Sequence, residues 1–240
     1  MLRKALLACG VVSSLLFVGA DLLAAARYPD YHSFTSRAIS ELSAVGAPSR
    51  GLVEPLLIAY DFLIIAFGLG VGVSGRRRMR VVGGLLVAIG VLGLALAPFT
   101  PMRMRGTGSL ATDAPHIAAT AATVLCILLV VGLAAYSFGR GFRHYSHATL
   151  LILLVFGTWT GLEGARLAAG RPTPWLGLAE RVHIGAYLAW VVVLAGTLWR
   201  PEARRQEVTT GAMSEDEGEP GHRSDPQREQ PRGRQAPEPR

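Results

Sequence analysis

Six long runs of apolar residues, separated by short polar segments, dominate the first two hundred residues of the chain. They lie near Ala5 to Ala26, Val53 to Val73, Val81 to Phe99, Pro115 to Phe138, Ala148 to Ala169 and Ala179 to Trp199. A bilayer core of about 30 Å needs roughly 20 predominantly apolar residues per helix, and each run is long enough. Buried strands of a soluble α/β protein would form shorter runs broken by turn residues. The pattern therefore predicts an all-α, polytopic membrane protein with six transmembrane helices in one bundle.

The composition changes at Pro201, after which the chain is rich in Pro, Glu, Arg, Gln and Gly. Residues 201–240 contain seven bases, nine acids and few apolar side chains. Such a segment cannot bury enough apolar surface to offset the entropy of ordering. We therefore expect a six-helix transmembrane domain over residues 1–200 and a disordered cytoplasmic tail over residues 201–240. Because the tail mixes bases with acids, a nucleic-acid partner is not expected.

Arginine in the short loops indicates the orientation. With the N-terminus inside, eleven Lys and Arg residues lie on the cytoplasmic side and six on the other, and the cluster from Arg76 to Arg80 is the clearest group. Lys4 is the one lysine, and this excess of arginine indicates GC-rich coding DNA and hence a bacterium. We expect a multi-pass protein of the bacterial plasma membrane with both termini in the cytoplasm. The alternative is that the first run is a signal peptide, cleaved after Ala24-Ala25-Ala26, which would leave five spans.

Small residues four apart indicate where helices approach closely within the bundle. The spacing occurs in the pairs Gly68 and Gly72, Gly84 and Ala88, and Gly93 and Ala97. We interpret these pairs as packing within one chain rather than as a dimer interface.

All eight acidic residues of the first two hundred lie on the side opposite the Arg76 to Arg80 cluster, in loops or in the adjoining halves of helices. They are Asp21, Asp30, Glu41, Glu54, Asp61, Asp113, Glu163 and Glu180. A charged group at the bilayer centre costs roughly 2.5 to 3.5 kcal/mol on insertion scales, so such residues are seldom kept without a role. Helical spacing places several polar pairs on shared faces, namely Glu54 with Asp61, Asp113 with His116, Glu163 with Arg166 and Glu180 with His183.

We predict that these side chains form a polar layer open to the outside, with the polar segment Ser36 to Pro48 lying over it. The candidate ligand-binding residues are Asp21, Ser40, Glu41, Ser43, Glu54, Asp61, Asp113, His116, Glu163, Arg166, Glu180, Arg181 and His183. The ligand would be a small polar or amphiphilic species, such as a lipid headgroup or a proton, arriving from the extracytoplasmic side. Arg166 could pair with Glu163 or, across the bundle, with Asp61. The alternative is that the layer consists of ion pairs that serve only insertion and packing.

Two other functions are compatible with the sequence. An intramembrane hydrolase would place Asp113, His116, Glu163 and His183 around a metal ion or an activated water. The HExxH spacing of zinc hydrolases is absent from this layer, so no metal, cofactor or catalytic residue is assigned. A structural or sensor subunit would instead act through the tail.

The order of the spans and two short motifs resemble a prokaryotic membrane family catalogued as domain of unknown function 998. The motifs are Ser40-Glu-Leu-Ser-Ala44 after the first span and Glu180-Arg-Val-His-Ile-Gly-Ala-Tyr-Leu-Ala-Trp190 opening the last. The resemblance covers about Leu6 to Arg200 and excludes the tail. The family pattern also has an acid after the third span, where this chain has Phe99-Thr-Pro-Met102. The resemblance implies a six-span architecture and carries no activity.

Overall fold

The computed structural model describes residues 1–29, 33–73, 76–107 and 110–216, with the backbone alone at 97, 98, 110 and 200–216. The helices are α1 (Leu2–Arg27), α2 (Arg50–Gly72), α3 (Arg77–Phe99), α4 (Leu110–Ala135), α5 (Arg140–Ala168) and α6 (Leu176–Asp216). A short 3-10 turn, Ser40–Ser43, lies between α1 and α2. Within these ranges no strand occurs, and Val45 and Arg103 form an isolated bridge.

Within the described ranges, six helices are long and apolar enough to cross a membrane, which confirms the all-α, six-span prediction. The apolar part of α3 is Arg77–Leu96 and that of α6 is Leu176–Trp199. Several helices begin before their apolar runs, because basic residues such as Arg50 and Arg140 form their first turns. Because there is more than one such span, the multi-pass prediction is confirmed as well.

Consecutive helices pack against one another in chain order, from α1 to α5. The last helix contacts both α1 and α5: Ser14 Oγ donates to the Leu188 carbonyl oxygen at 3.2 Å, and Trp190 Nε1 donates to Ser146 Oγ at 3.0 Å. Donors buried in lipid must find partners within the protein, so these bonds fix the position of α6. The six spans thus form one bundle in which α6 lies between α1 and α5.

Apolar side chains from all six helices fill the centre of the bundle. Leu7, Phe67, Leu86, Val130, Leu153 and Trp190, one from each helix, are almost fully buried. Other large apolar side chains, such as Leu15, Val91 and Leu154, are exposed on the outside of the bundle, where lipid tails would surround them.

Glycines bring the backbones of α2 and α3 into contact. A Cβ at Gly68 would lie 2.8 Å from the Gly83 carbonyl oxygen, and a Cβ at Gly83 would meet the backbone of Gly72. The predicted close approach at Gly68 and Gly72 is thus present, but the facing residue is Gly83. A Cβ at Gly84 would meet nothing within 4 Å, so the interpretation of Gly84 as a contact residue was wrong by one position.

The chain divides into two compact units, Met1–Pro201 and Glu202–Arg240. The helix α6 continues to Asp216, beyond the boundary at residue 200 expected from the sequence. Residues 217–240 lie outside the described residues, so the disorder of the tail stays a prediction.

Candidate functional site

The connections after α1, α3 and α5 meet at one end of the bundle, which we call the acidic end. The Val45 N–H donates to the Met102 carbonyl oxygen at 2.8 Å, which joins the first of these connections to the second. The opposite end, with the start of α1 and the connections after α2 and α4, is the arginine end. Both names follow from the charged residues that the sequence places there.

Glu41 lies at the centre of the acidic end and is 3% exposed. The Ala38 N–H donates to Oε2 at 2.8 Å. Arg105 donates two hydrogen bonds to the same carboxylate, from Nε to Oε1 at 2.9 Å and from Nη2 to Oε2 at 3.0 Å. Arg37 Nη1 approaches Oε1 to 3.6 Å. Paired bonds between a guanidinium and a carboxylate are among the strongest hydrogen bonds in proteins, so this contact holds the first connection in place.

Arg105 also joins all three connections of the acidic end. Its Nη1 donates to Thr173 Oγ1 at 2.8 Å and its Nη2 to the Ser36 carbonyl oxygen at 3.1 Å. Arg105 was not among the candidate residues. Its partners are 64 to 69 residues away, so no local spacing signals them.

Glu180, in the first turns of α6, binds the start of the 3-10 turn Ser40–Ser43. Its Oε2 accepts from the Ile39 N–H at 2.5 Å, and its Oε1 accepts from the Ser40 N–H at 3.4 Å. The first N–H groups of a helical turn have no partner within the turn, and a carboxylate there is favoured by their positive charge. Glu180 thus ties α6 to the segment that carries Glu41.

Arg181 forms a second paired contact, with Asp21 of α1. Its Nε donates to Oδ2 at 2.9 Å and its Nη2 to Oδ1 at 2.8 Å, and both side chains are largely buried. Its Nη1 donates to the carbonyl oxygens of Phe34 at 2.9 Å and Arg37 at 2.6 Å. Gly177 allows this segment to pass close to α6, because a Cβ there would overlap the Arg37 carbonyl oxygen.

We call Asp21, Glu41, Arg105, Glu180 and Arg181 the loop clasp. Four of the five were candidate ligand-binding residues, and the structure brings them together around the segment Ser36 to Pro48. Their charged groups bind one another or backbone groups. The clasp is therefore well suited to holding the connections of the acidic end in place.

The side chains of two other candidates, Glu54 and Ser43, make only local hydrogen bonds. Glu54 pairs with Arg50 one turn earlier, with Arg50 Nε 2.8 Å from Oε2. Ser43 Oγ donates to the Ser40 carbonyl oxygen at 3.4 Å within the 3-10 turn. These contacts stabilise the start of α2 and the turn itself.

Asp61 differs from the acids of the clasp in depth and in surroundings. It lies eleven residues after Arg50, about 16 Å along α2 at 1.5 Å per residue, and it is 6% exposed. Its carboxylate lies directly against the backbone of Gly93 on α3, where a Cβ would overlap both carboxylate oxygens. Among the residues that the structure describes, none forms a hydrogen bond or an ion pair with this carboxylate.

Tyr187 of α6 is a second polar side chain of the interior and was not among the candidates. It is 2% exposed, and it interacts electrostatically with Asp61. Its hydroxyl group is buried and has no hydrogen-bond partner in the described part of the chain. A tyrosine in an apolar run looks like a core residue in the sequence, so only its position one turn after His183 could have indicated it.

His183 shares the face of α6 that carries Tyr187. Its Nδ1 lies 3.1 Å from the Leu153 carbonyl oxygen, which can only accept, so Nδ1 carries a hydrogen. Its Nε2 is buried and lacks a partner within the described ranges. In the neutral ring this nitrogen is an acceptor. We call Asp61, His183 and Tyr187 the interior polar set.

The remaining candidates are Asp113, His116, Glu163 and Arg166. Arg166 Nη1 donates to Glu163 Oε1 at 2.6 Å, so Arg166 pairs with Glu163 and not with Asp61. His116 Nδ1 lies 2.9 Å from the Thr100 carbonyl oxygen, and Asp113 Oδ1 is buried without a hydrogen-bond partner in the described part. Across the described residues, no three His, Cys, Asp or Glu side chains come together in a way that could hold a metal ion.

An open groove of about 480 Å³ lies between α1 and α2. Apolar residues of α1 from Val12 to Leu23 and Leu56 of α2 line it, and none of the candidate ligand-binding residues does. The groove belongs to the apolar outer surface of the bundle.

Fold and contacts together define a six-span integral membrane protein with a clasped acidic end and a few polar side chains in an apolar interior. The chain belongs to the family described as Protein of unknown function (DUF998), whose model matches residues 11–197. This match confirms the resemblance found in the sequence and extends over all six spans. No curated protein and no solved structure matches the chain.

Proposed function

We propose that this protein binds and moves a small cation, foremost a proton, at the interior polar set, with Asp61 as the central group. The observation that carries the proposal is the buried carboxylate of Asp61 at mid-depth in the bundle, with no cationic side chain paired to it in the described part. An acid inside a membrane bundle is costly when charged and unpaired. A bound proton or cation removes that cost.

The other members of the set support a positively charged ligand. The Asp61 carboxylate and the His183 Nε2 of a neutral ring are acceptors, and the Tyr187 hydroxyl can accept or donate. Each lacks a hydrogen-bond partner among the described residues. Two of the three groups, the Asp61 carboxylate and the His183 Nε2, are acceptors, which suits a ligand that brings its own protons or positive charge.

The packing of Asp61 favours the smallest such ligand. The Gly93 backbone contacts the carboxylate directly, so one side of Asp61 is closed. A proton binds there without displacing α3, whereas a lipid headgroup would have to separate α2 from α3. The ligand class is therefore narrowed from small polar or amphiphilic species to protons and small cations.

We further propose that the arginine end faces the cytoplasm of a bacterium and that ligands enter from the acidic end. Arginine in short loops is retained on the cytoplasmic side, and Arg76, Arg77, Arg78 and Arg80 support this orientation. Fusion of a cytoplasm-specific reporter after Arg240 tests it: activity is expected with the reporter inside, and activity of a periplasm-specific reporter would reverse the orientation.

Ion flux in liposomes tests the function. The full-length protein is reconstituted with a pH-sensitive dye inside, and an imposed pH or sodium gradient is followed in the wild type and in Asp61→Asn. We expect flux above that of empty liposomes in the wild type and its loss in Asp61→Asn.

Glu54→Gln is the matched control, because Glu54 is on the same helix but pairs with Arg50 near the surface. It should keep the wild-type flux. Equal flux in the wild type and Asp61→Asn would show that Asp61 is not the central group. No observation favours the hydrolase or the tail-acting subunit over this function.

A further inference from the structure

We infer that the arginine end contains a binding site for the phosphate of an anionic phospholipid, between the start of α3 and the turn from α4 to α5. This site is separate from the interior polar set and does not depend on the function proposed above.

Three arginines converge on the two residues that follow α4. Arg76 Nη1 donates to the Ser137 carbonyl oxygen at 3.1 Å, and Arg78 Nη1 donates to the Tyr136 carbonyl oxygen at 2.8 Å. The guanidinium of Arg143 lies 5.1 Å from the centre of the Tyr136 ring. A guanidinium has five N–H donors, so Arg76 and Arg78 keep further donors after making these bonds.

The positive charge of this region is not neutralised by the protein side chains that the structure describes. The region contains six arginines, none of which pairs with a described carboxylate: Arg76, Arg77, Arg78, Arg80, Arg140 and Arg143. Their recorded partners are carbonyl oxygens and an aromatic ring, which are neutral. At the acidic end, by contrast, Arg105 and Arg181 each form an ion pair with a carboxylate.

Two helices also begin in this region. Neither α3 nor α5 has a side chain that caps its N-terminus, and neither has an acid in its first turn. Their first N–H groups therefore lack side-chain partners among the described residues, and the positive end of the helix dipole favours a phosphate. Helix ends and arginines together form a region that attracts an anion with several acceptor oxygens.

The level of this region relative to the spans identifies the anion as a lipid headgroup. Arg77 and Arg140 are exposed and are the first residues of two apolar spans, so they lie where lipid phosphates lie. Tyr136, which contacts Arg78 and Arg143, is exposed, as is usual for tyrosine at a membrane interface. Clusters of arginine directly beside spans attract anionic lipids.

Lipid binding to the purified full-length protein tests the site. The protein is stripped of lipid in a neutral detergent, and native mass spectrometry follows the binding of phosphatidylglycerol and phosphatidylcholine. We expect phosphatidylglycerol to bind more tightly, and Arg76→Gln with Arg78→Gln to weaken it about thirty-fold, as expected of two arginines at an anionic surface.

The control is Arg103→Gln with Arg171→Gln, which removes the same charge from two exposed arginines at the acidic end. It should leave phosphatidylglycerol binding unchanged. Equal losses of phosphatidylglycerol binding in the two double variants would mean that net charge alone attracts the lipid, and this result would overturn the proposed site. Displacement of the lipid by inorganic phosphate at similar concentration would overturn its assignment to a lipid.

If Arg76→Gln with Arg78→Gln does not fold, the wild type alone still tests the lipid site. Equal binding of phosphatidylglycerol and phosphatidylcholine to the wild type would reject the proposal. Asp61→Asn should bind phosphatidylglycerol like the wild type. Loss of ion flux with normal lipid binding, or the reverse, separates the failure of one proposal from the failure of the other.

Discussion

The acids of the loop clasp and the single acid of the interior polar set differ in what faces them. In the loop clasp, Asp21 and Glu41 are each held by an arginine through two bonds, and Glu180 binds two backbone N–H groups. In the interior polar set, Asp61 lies against the Gly93 backbone and forms no hydrogen bond or ion pair with a described residue. Removal of a paired acid breaks contacts within the protein, whereas removal of an unpaired one removes a place where a ligand binds. The comparison predicts opposite results for stability and function in the two groups.

The largest loss of stability is expected from Arg181→Gln. The variant leaves the buried Asp21 carboxylate without its cation, which lowers the free energy of unfolding by about 3 to 5 kcal/mol. Unfolding by a denaturing detergent, followed by far-ultraviolet circular dichroism, measures the change. The double variant with Asp21→Asn should recover part of the loss, because neither charge remains buried alone. Unchanged stability of the single variant would mean that the clasp does not hold the acidic end.

A smaller loss is expected where Asp61 meets α3. In Gly93→Ala the added Cβ overlaps the carboxylate and pushes α2 from α3, which costs about 1 to 3 kcal/mol, the usual range for overpacking. Gly84→Ala, on the same helix, adds a Cβ into open space and should not lower stability. The same unfolding assay compares the two. Equal effects at both positions would contradict the contact between Asp61 and Gly93.

Glu180→Gln should lower stability by about 1 kcal/mol, as loss of a helix cap does. The amide oxygen can still accept one backbone N–H, but the negative charge at the start of the 3-10 turn is gone. Faster hydrogen exchange at Ile39 and Ser40 should accompany the change. If hydrogen exchange at these two amides equalled that of the wild type, Glu180 would not hold the 3-10 turn.

Asp61→Asn should not lower the free energy of unfolding, because it removes a buried charge that has no partner to lose and whose burial is itself costly. The unfolding assay gives this value, and Glu54→Gln provides the comparison on the same helix. A large loss of stability in Asp61→Asn would place Asp61 with the structural acids and weaken the case for a ligand.

The sequence predicted the fold well because membrane helices are specified by a simple physical requirement, a run of apolar residues long enough to cross the bilayer. It also selected Asp21, Glu41 and Glu180, whose contacts lie together at the acidic end. It did not reveal which acids are paired, since that depends on contacts between distant parts of the chain. Arg105 meets Glu41 and Thr173 across loops, and no local spacing indicates those contacts.

The sequence also predicted which helices approach closely better than it predicted which residues make the contact. The spacing of Gly68 and Gly72 indicated a contact face on α2, but adjacent glycines made the facing residue on α3 ambiguous, and Gly83 rather than Gly84 makes the contact. Tyr187 was missed for a related reason, since its hydroxyl is distinguished only by the neighbours that leave it unpaired.

The central claim, that Asp61 takes up and releases a proton inside the bundle, is tested most directly by infrared difference spectroscopy of the full-length protein in lipid between acidic and alkaline buffer. The account predicts the band of a protonated carboxyl group shielded from bulk water, absent in Asp61→Asn and kept in Glu54→Gln. A difference spectrum that is the same in the wild type and in Asp61→Asn would contradict it.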